Sequence, residues 1–290
     1  MSSPRISLVV VSWNSADVLV DLLDALVAHP PVTPWEVIVV DNASADHTCE
    51  LVRAHPAGAR LIANADNLGL ASANNIGMAA ARGGFFVICN PDIVPLPGAL
   101  VALVAVSDRR PRAGFVIGRL QHPDGTLLTG VGDLPTLREA FAGRRAARVR
   151  AADAGFWWDG WTHDQERQIG HGQEACYLVR RAAVDAVGPQ DVLYWLDWEG
   201  VDWADRMHQA GWDVWFTPAS QVVHVGGTSL SKARVRWVVW SHRGMYRYFS
   251  MRGPRWHRPF LAMAIGARGG LKLALLVRPD LYQRGLRVDK

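Results

Sequence analysis

The sequence is poor in cysteine, in long apolar runs, and in acid near its C-terminus. Its three cysteines, Cys49, Cys89 and Cys176, are widely separated and odd in number. No Cys-x-x-Cys pair and no disulfide framework is visible. That argues against a cross-linked secreted scaffold and for a reducing compartment. No apolar stretch has the length of a membrane span. The opening run Ile6–Ser12 is too short for a secretory leader and has the character of a buried strand. A cytoplasmic location is therefore expected. The chain also lacks a recognised nucleic-acid module and a glycine-rich basic phosphate loop. Those absences argue against a nucleic-acid partner and against nucleotidyl transfer.

What is present describes a globular chain. Of 290 residues, 49% are hydrophobic and 20% charged, which suits one large α/β domain or a core with an appendage. The net charge of +4 is unevenly spread. From Lys232 to Lys290 the charges are basic except Asp280 and Asp289. A basic tail points to an anionic partner, such as a membrane surface or a lipid diphosphate. Its blander role is a helical tail that packs on the domain or on a second subunit, which leaves an oligomer open. Pro259–Val277 is apolar but interrupted by Arg268, Gly269, Gly270 and Lys272, so it is expected to lie on a membrane rather than cross it.

Strand and helix signals alternate through the first part. Strands are expected at Ile6–Ser12, Trp35–Val40, Arg60–Ala63, Phe85–Cys89 and Phe115–Leu120. Between them, Ser15 can cap a helix running to about His29, and Asp46 can start a short helix. Further helices are expected over Gly69–Arg82 and Pro97–Val106. The middle, Gln121 to Gly170, is less periodic, with a turn at Pro123-Asp-Gly125 and a basic stretch at Arg138–Arg150. Order returns with a strand at Ala175–Arg180, a helix to Val187, a second helix to Ala210, and short segments at Asp213–Phe216 and Gln221–Val225. Such alternation implies a largely parallel sheet covered on both faces, with ligands at the carboxyl ends of its strands.

Several groups at those ends can carry chemistry. Asp41, with Asn42 and Ser44, can accept hydrogen bonds from a nucleobase or simply cap the next helix. From Asn67 to Gly77 small residues recur at every second position, permitting close approach of a ligand or of the sheet. Asn90-Pro-Asp92 is an ordinary turn in isolation, yet Asp92 is placed to hold a hard divalent cation. Asp197, Glu199 and Asp202 gather beside Trp195 and Trp198, and a carboxylate there can serve as a general base. Asp202 and Arg206, spaced i,i+4, read better as a structural ion pair. His224 is a lone histidine that becomes a plausible ligand once Asp92 holds a metal.

Taken in order, Ser12-Trp-Asn14, Asp41-Asn-Ala-Ser44, Asn67-x-Gly-x-Ala-x-Ala-x-Asn75, Asn90-Pro-Asp92, Trp198-Glu-x-x-Asp202 and His224-x-Gly-Gly227 closely resemble the family 2 inverting glycosyltransferases. The resemblance covers roughly residues 5–230. Within that family the chain looks most like bacterial rhamnosyltransferases of cell-wall and O-antigen assembly, through Asn90-Pro-Asp92, Pro123-Asp-Gly125, Leu134-Pro-Thr136 and Ala175–Arg181. It implies the GT-A fold, a Rossmann-like α/β architecture whose mostly parallel mixed sheet is flanked by helices. Residues 1–230 would form that domain, with a nucleotide-sugar half at 1–120 and an acceptor and catalytic half at 121–230. Residues 231–290 would be a basic helical extension.

The resemblance also implies roles. Ser12, Asn14 and Asp41 would contact the nucleotide sugar, as would Asn67, Gly69, Asn75, Asn90 and Asp92. Asp92 and His224 would hold Mg2+ or Mn2+. Glu199, or Asp197, would be the base. Aromatic faces stack on sugars, so Trp157, Trp161, Trp195 and Trp198 are the acceptor candidates, against a core role for some of them. The implied donor is a dTDP- or UDP-linked sugar, with dTDP-rhamnose the best guess. The acceptor would be a glycan or lipid-linked hydroxyl, and the protein would sit peripherally on the inner face of the cell membrane. One departure stands out: relatives usually carry a second acid where this chain has Gly200. That departure motivates the alternative of a catalytically impaired homologue that binds nucleotide sugar or glycan.

Overall fold

Runs of valine and isoleucine become strands here because branched side chains pack well on a pleated surface covered on both sides. The computed structural model describes residues 4–128, 130–142, 154–226 and 234–277. In chain order the strands are Ile6–Ser12 (β1), Trp35–Asp41 (β2), Arg60–Ala63 (β3), Phe85–Cys89 (β4), Ile93–Pro95 (β5) and Ala113–Gln121 (β6). Short pieces follow at Leu127–Leu128 (β7), Val131–Gly132 (β8), Arg167–Gln168 (β9) and His171–Gly172 (β10). Cys176–Arg180 (β11) and Asp213–His224 (β12) complete the set. The main sheet runs β3-β2-β1-β4-β11-β6-β12-β5. It is parallel from β3 to β4, and β11 and β5 are antiparallel to their neighbours.

The helices are Ala16–Ala28 (α1), Thr48–Ala54 (α2), Leu70–Ala80 (α3), Ala99–Arg109 (α4) and Leu137–Ala142 (α5). They continue with Arg181–Val187 (α6), Glu199–Gln209 (α7), Arg234–Arg252 (α8) and Arg258–Val277 (α9). Two apolar clusters lie on the two faces of the sheet, one holding Leu19, Leu22, Leu23 and Leu26 of α1, the other Trp203 and Met207 of α7. A third joins Tyr194 and Trp198 to Met245 and Tyr248 of α8 and to Leu261 and Ile265 of α9. The last two helices are therefore packed on the preceding part of the chain rather than hung from it.

Local details differ from the sequence-based expectations. Ser15 precedes α1 but makes no capping bond; its hydroxyl donates to the carbonyl of Trp13. Asp46 does the capping instead, accepting from the N–H groups of Thr48 and of Ala16. In α3 the buried residues Ala71, Ala73, Asn74, Gly77 and Met78 follow helical spacing, not alternation. A Cβ at Gly77 would meet Val9 at 2.3 Å, so close helix–sheet packing accounts for that glycine. The two segments expected after residue 212 are one strand, β12, with a register shift between Thr217 and Gln221. Cys89 and Cys176, far apart in sequence, face each other across β4 and β11 as free thiols 3.6 Å apart.

The C-terminal region changes most. Arg268, Gly269, Gly270 and Lys272 do not interrupt it, because α9 is continuous through them. The helical stretch Arg255–Leu276 is long and apolar enough, by length and composition, to cross a membrane. Two of the tail's cations are engaged by acids of the core. Arg247 pairs with Asp191, and Arg252 with both Asp202 and Asp205. The expected boundary at residues 230 and 231, part of the basic stretch Arg138–Arg150, Gly227, and the basic residues beyond 277 lie outside the described residues.

Candidate active site

A cavity of about 870 Å³ opens at the carboxyl ends of β1 and β4, where the parallel part of the sheet leaves its strand ends uncovered. Ser12, Asn67, Gly69, Asn90 and Asp92 line it from the sheet side. Trp157, Trp195, Trp198, Asp197, Glu199 and His224 also reach it. Asn14, Asp41, Asn75 and Trp161 do not, and each has a structural task. Asp41 is only 1% exposed. Its carboxylate accepts from the hydroxyls of Ser12 and Ser44 and from the N–H of Ser44. Asn14 ties down the same loop, donating its N–H to Ser44 and accepting from the N–H of Ala45. Asn75 clamps the backbone of Gln190 through two hydrogen bonds. Trp161 packs edge-on against Trp158 and Phe216 in the core.

The tryptophans that do face the cavity differ among themselves. Trp198 is mostly core, buried against Tyr248 and Phe249. Trp195 is half-buried and stacks on Trp240 of α8, ring centroids 5.2 Å apart. Its carbonyl accepts from the N–H of Leu70, which fixes it to the start of α3. Trp157 packs against Phe156 and His171.

Two acid-bearing centres meet in this cavity. At the first, Asp92 Oδ1 lies 3.3 Å from His224 Nε2. The pairing follows from β12 running beside β5, with the Val225 N–H donating to the Asp92 carbonyl. The other imidazole nitrogen, Nδ1, is buried without a hydrogen-bond partner. Among the described residues no three His, Cys, Asp or Glu side chains gather as a metal cage. Asp92 and His224 fit the commoner arrangement, in which Mg2+ or Mn2+ takes one or two protein ligands and completes its shell with water and substrate phosphate.

At the second centre three carboxyls converge. Asp197 and Trp198 both have left-handed backbone, φ 73° and 75°, just before α7. Such conformations are strained for non-glycine residues and persist only where surroundings hold them. Here α8 does so: the Ser241 hydroxyl donates to Asp197 Oδ2 at 2.6 Å. Gly244 lets α8 come close, since a Cβ there would stand 2.9 Å from the Asp197 carbonyl oxygen. Glu199 begins α7 and is buried, with Oε2 lacking any hydrogen-bond partner. Burial, and then the charge of Asp197, push its carboxyl up to about 8. Asp197 is itself raised, chiefly by burial.

The third carboxyl belongs to Glu174, on the loop before β11. It lies over Gly200: a Cβ on that glycine would stand 1.1 Å from Glu174 Oε1. Burial, then the charges of Glu199 and Asp197, hold Glu174 well above the ordinary carboxylate range. Nothing in the sequence around Glu174 marks it. The signal, in retrospect, was Gly200, an absent side chain within a cluster of acids. Also missed were Arg236, Trp240 and Ser241 of α8 and Arg268 and Lys272 of α9, which form the opposite wall.

With this geometry in view, the comparisons are specific. The family model described as "Glycosyl transferase family 2" matches residues 7–176. The N-acetylglucosaminyl-diphospho-decaprenol L-rhamnosyltransferase of Mycobacterium tuberculosis is 28% identical over 268 residues, which is 86% of this chain and 85% of that protein. The mannosyltransferase PcManGT from Pyrobaculum calidifontis, solved in complex with GDP-Man and Mn2+, superposes with a TM-score of 0.57 at 19% identity. That match covers 99% of this chain and 81% of the other. GalNAc-T7, solved with UDP, GalNAc and Mn2+, gives a TM-score of 0.57 at 16% identity, over 77% of this chain and 44% of its own. At these identities the structural likeness bears on the fold alone, a mixed sheet flanked by helices as in GT-A enzymes.

Proposed function

Since the chain belongs to glycosyl transferase family 2, we propose that it moves a sugar, rhamnose being the best candidate, from a nucleoside diphosphate to a hydroxyl of a lipid-linked glycan. The observation that carries this reading is the meeting of the Asp92–His224 pair with the Glu174, Asp197 and Glu199 carboxyls in one cavity. The named activity of the mycobacterial relative supports the choice of sugar and acceptor. In this reading residues 1–120 carry the donor half and 121–230 the catalytic half. The extension after residue 230 completes the site with α8 and α9.

Asp92 and His224 would hold the divalent ion, which when bound supplies positive charge to the leaving diphosphate. The remaining work falls to the chain. Ser12, Asn67 and Asn90 bind and orient the donor along the strand ends. Trp157 and Trp195 offer aromatic faces to the acceptor sugar. Glu199 takes the proton from the acceptor hydroxyl. The hydroxyl oxygen bonds to the anomeric carbon from the face opposite the diphosphate, whose C–O electron pair leaves with it. This in-line displacement inverts the anomeric centre.

Glu174 answers the doubt raised by Gly200. The Glu174 and Glu199 carboxyls titrate together, and both are held above the ordinary carboxylate range. Glu174 feels the charge of Glu199 and keeps its proton, while Glu199 ionises as the pH rises through about 8 and then acts as base. The first test is calorimetry with a panel of dTDP-, UDP- and GDP-sugars, with and without Mn2+. Metal-dependent binding of one donor, and turnover lost in Glu199→Gln with that binding intact, is the expected result. Binding without turnover on any lipid-linked acceptor would instead favour a catalytically impaired homologue.

A further inference from the structure

Helix α9 wears its charges on the wrong side for a solvated tail. Phe260, Met263 and Leu271 are 63%, 68% and 64% exposed, and Trp256 just before the helix is 73% exposed. Ala262, Ala264, Ala267 and Ala274 are exposed as well. The cations Arg268 and Lys272, one helical turn apart, turn inward instead and line the active-site cavity with Arg236 of α8. Arg268 donates to His242 Nε2 at 3.2 Å, and the Lys272 ammonium lies 5.7 Å from the Trp237 ring centroid. Among the described residues none of the three cations has an ion-pair partner within 4 Å, whereas Arg247 and Arg252 beside them do. Burial holds both Arg268 and Lys272 below their usual values, with the Arg268 charge also acting on Lys272. Arg268 and Lys272 are half-buried with no carboxylate within 4 Å, though the Asp197 charge acts on Lys272, and such cations are costly unless an anion completes them.

Paired cations on the inner side and an apolar surface on the outer side, on one helix, suit an amphiphile and the layer that holds it. We propose that Arg236, Arg268 and Lys272 form a diphosphate subsite for a membrane lipid diphosphate, reached while the apolar face of α9 lies in the bilayer interface. This rests on the reading of the cavity as a glycosyl-transfer site and names how its acceptor is held. Exposed apolar area on an interfacial helix supplies membrane affinity. Arginine and lysine together suit diphosphate oxygens, the guanidinium through its fork and the ammonium as a point charge.

The cavity must also hold the donor's diphosphate, so the test separates the two sources. The full chain is sedimented with phosphatidylcholine vesicles, with and without a long-chain prenyl diphosphate. UDP and dTDP binding with Mn2+ is measured in parallel by calorimetry. The expected result is that Arg268→Ala/Lys272→Ala weakens binding to the prenyl diphosphate vesicles by about 100-fold, roughly tenfold per charged contact, and leaves nucleotide binding unchanged. Phe260→Ser/Met263→Ser should lose vesicle binding yet still bind soluble geranyl diphosphate. Equal loss of nucleotide and lipid diphosphate in the alanine pair would overturn the proposal, assigning these cations to the donor. Unchanged vesicle binding in that pair would overturn it too. Failure of the function itself is distinguishable, since no nucleotide would then bind the unmodified chain.

Discussion

Glu174 and Gly200 share one place in the site, for a Cβ on Gly200 would stand 1.1 Å from Glu174 Oε1 and 1.5 Å from its carboxyl carbon. Side chains at the two positions are therefore mutually exclusive. Gly200→Ala should cost about 1–3 kcal/mol by overpacking and should displace the carboxyl. Glu174→Ala/Gly200→Ala should recover most of that loss, because the clash is gone. Glu174→Ala/Gly200→Asp returns a carboxyl to the same place from α7 and should regain turnover that Glu174→Ala loses. Urea denaturation and initial rates across the four variants read the coupling directly. Additive stabilities, with no recovery in the double variants, would show that the two positions do not compete.

Glu199 predicts a pH dependence with a definite sign. Its carboxyl is raised from the ordinary 4.5 to about 8, first by burial and then by Asp197. A base must be ionised, so kcat/KM should climb with pH to a limb near 8. Asp197→Asn removes the neighbouring charge and should move that limb to lower pH. The same shift acts on stability. A carboxyl raised in the folded state binds its proton more tightly there than in the unfolded chain. Its contribution is full below 4.5 and is lost as pH rises through about 8. Glu199→Gln should flatten that decline and reduce turnover by about 10²–10⁴-fold. A limb that stays in place in Asp197→Asn would remove Asp197 from the account.

Asp92 and His224 make the metal prediction. With Oδ1 and Nε2 3.3 Å apart, the proposed ion would take one donor from each side chain. Asp92→Ala should abolish the Mn2+ dependence of nucleotide binding, and His224→Ala should weaken Mn2+ affinity by at least about 10–100-fold, the cost of losing even a residue that only orients a ligand. Titration of Mn2+ by electron paramagnetic resonance checks this without any turnover. Identical Mn2+ affinity in His224→Ala would leave the histidine as a structural partner of Asp92.

The sequence made some of this legible. Strands β1 and β2 could be read because each is a run rich in branched residues ending in a polar group, and β4 because its five residues are all apolar and buried. Asp92 and Glu199 could be read because they sit beside those strand ends or open a helix. Asp41 was placed on the ligand edge by the same logic and Asn75 by the family resemblance, yet their hydrogen bonds go to the loop residues Ser44 and Gln190. A strand-end position fixes where a residue stands, not which way its side chain is spent. Glu174 and Ser241 were invisible for another reason. They come from separate parts of the chain and meet only through tertiary packing. For Arg268 and Lys272 a signal did exist: the i,i+4 spacing puts both charges on one side of an otherwise apolar helix.

The ion pair of Asp202 with Arg206, read from that same spacing, is the seed of a larger network that fastens α8 to α7. Asp202 Oδ2 accepts from Arg206 Nε at 2.9 Å, while Oδ1 accepts from Arg252 at 3.0 Å and from the Tyr194 hydroxyl at 3.3 Å. Arg252 also bonds Asp205, which accepts from the Tyr248 hydroxyl. Asp202 is nearly inaccessible, so its loss leaves two guanidinium groups short of a buried counter-charge. Asp202→Ala should cost about 3 kcal/mol, the lower end for breaking a buried pair. Arg206→Ala should cost about 1 kcal/mol, since Arg206 is more exposed and Asp202 keeps Arg252. Because α8 carries Ser241 against Asp197, Asp202→Ala should also lower turnover while sparing Mn2+-dependent nucleotide binding at Asp92. Denaturation and donor calorimetry on the same protein test both halves, and equal losses of stability in the two variants would mean that Arg252 adds nothing to the pair.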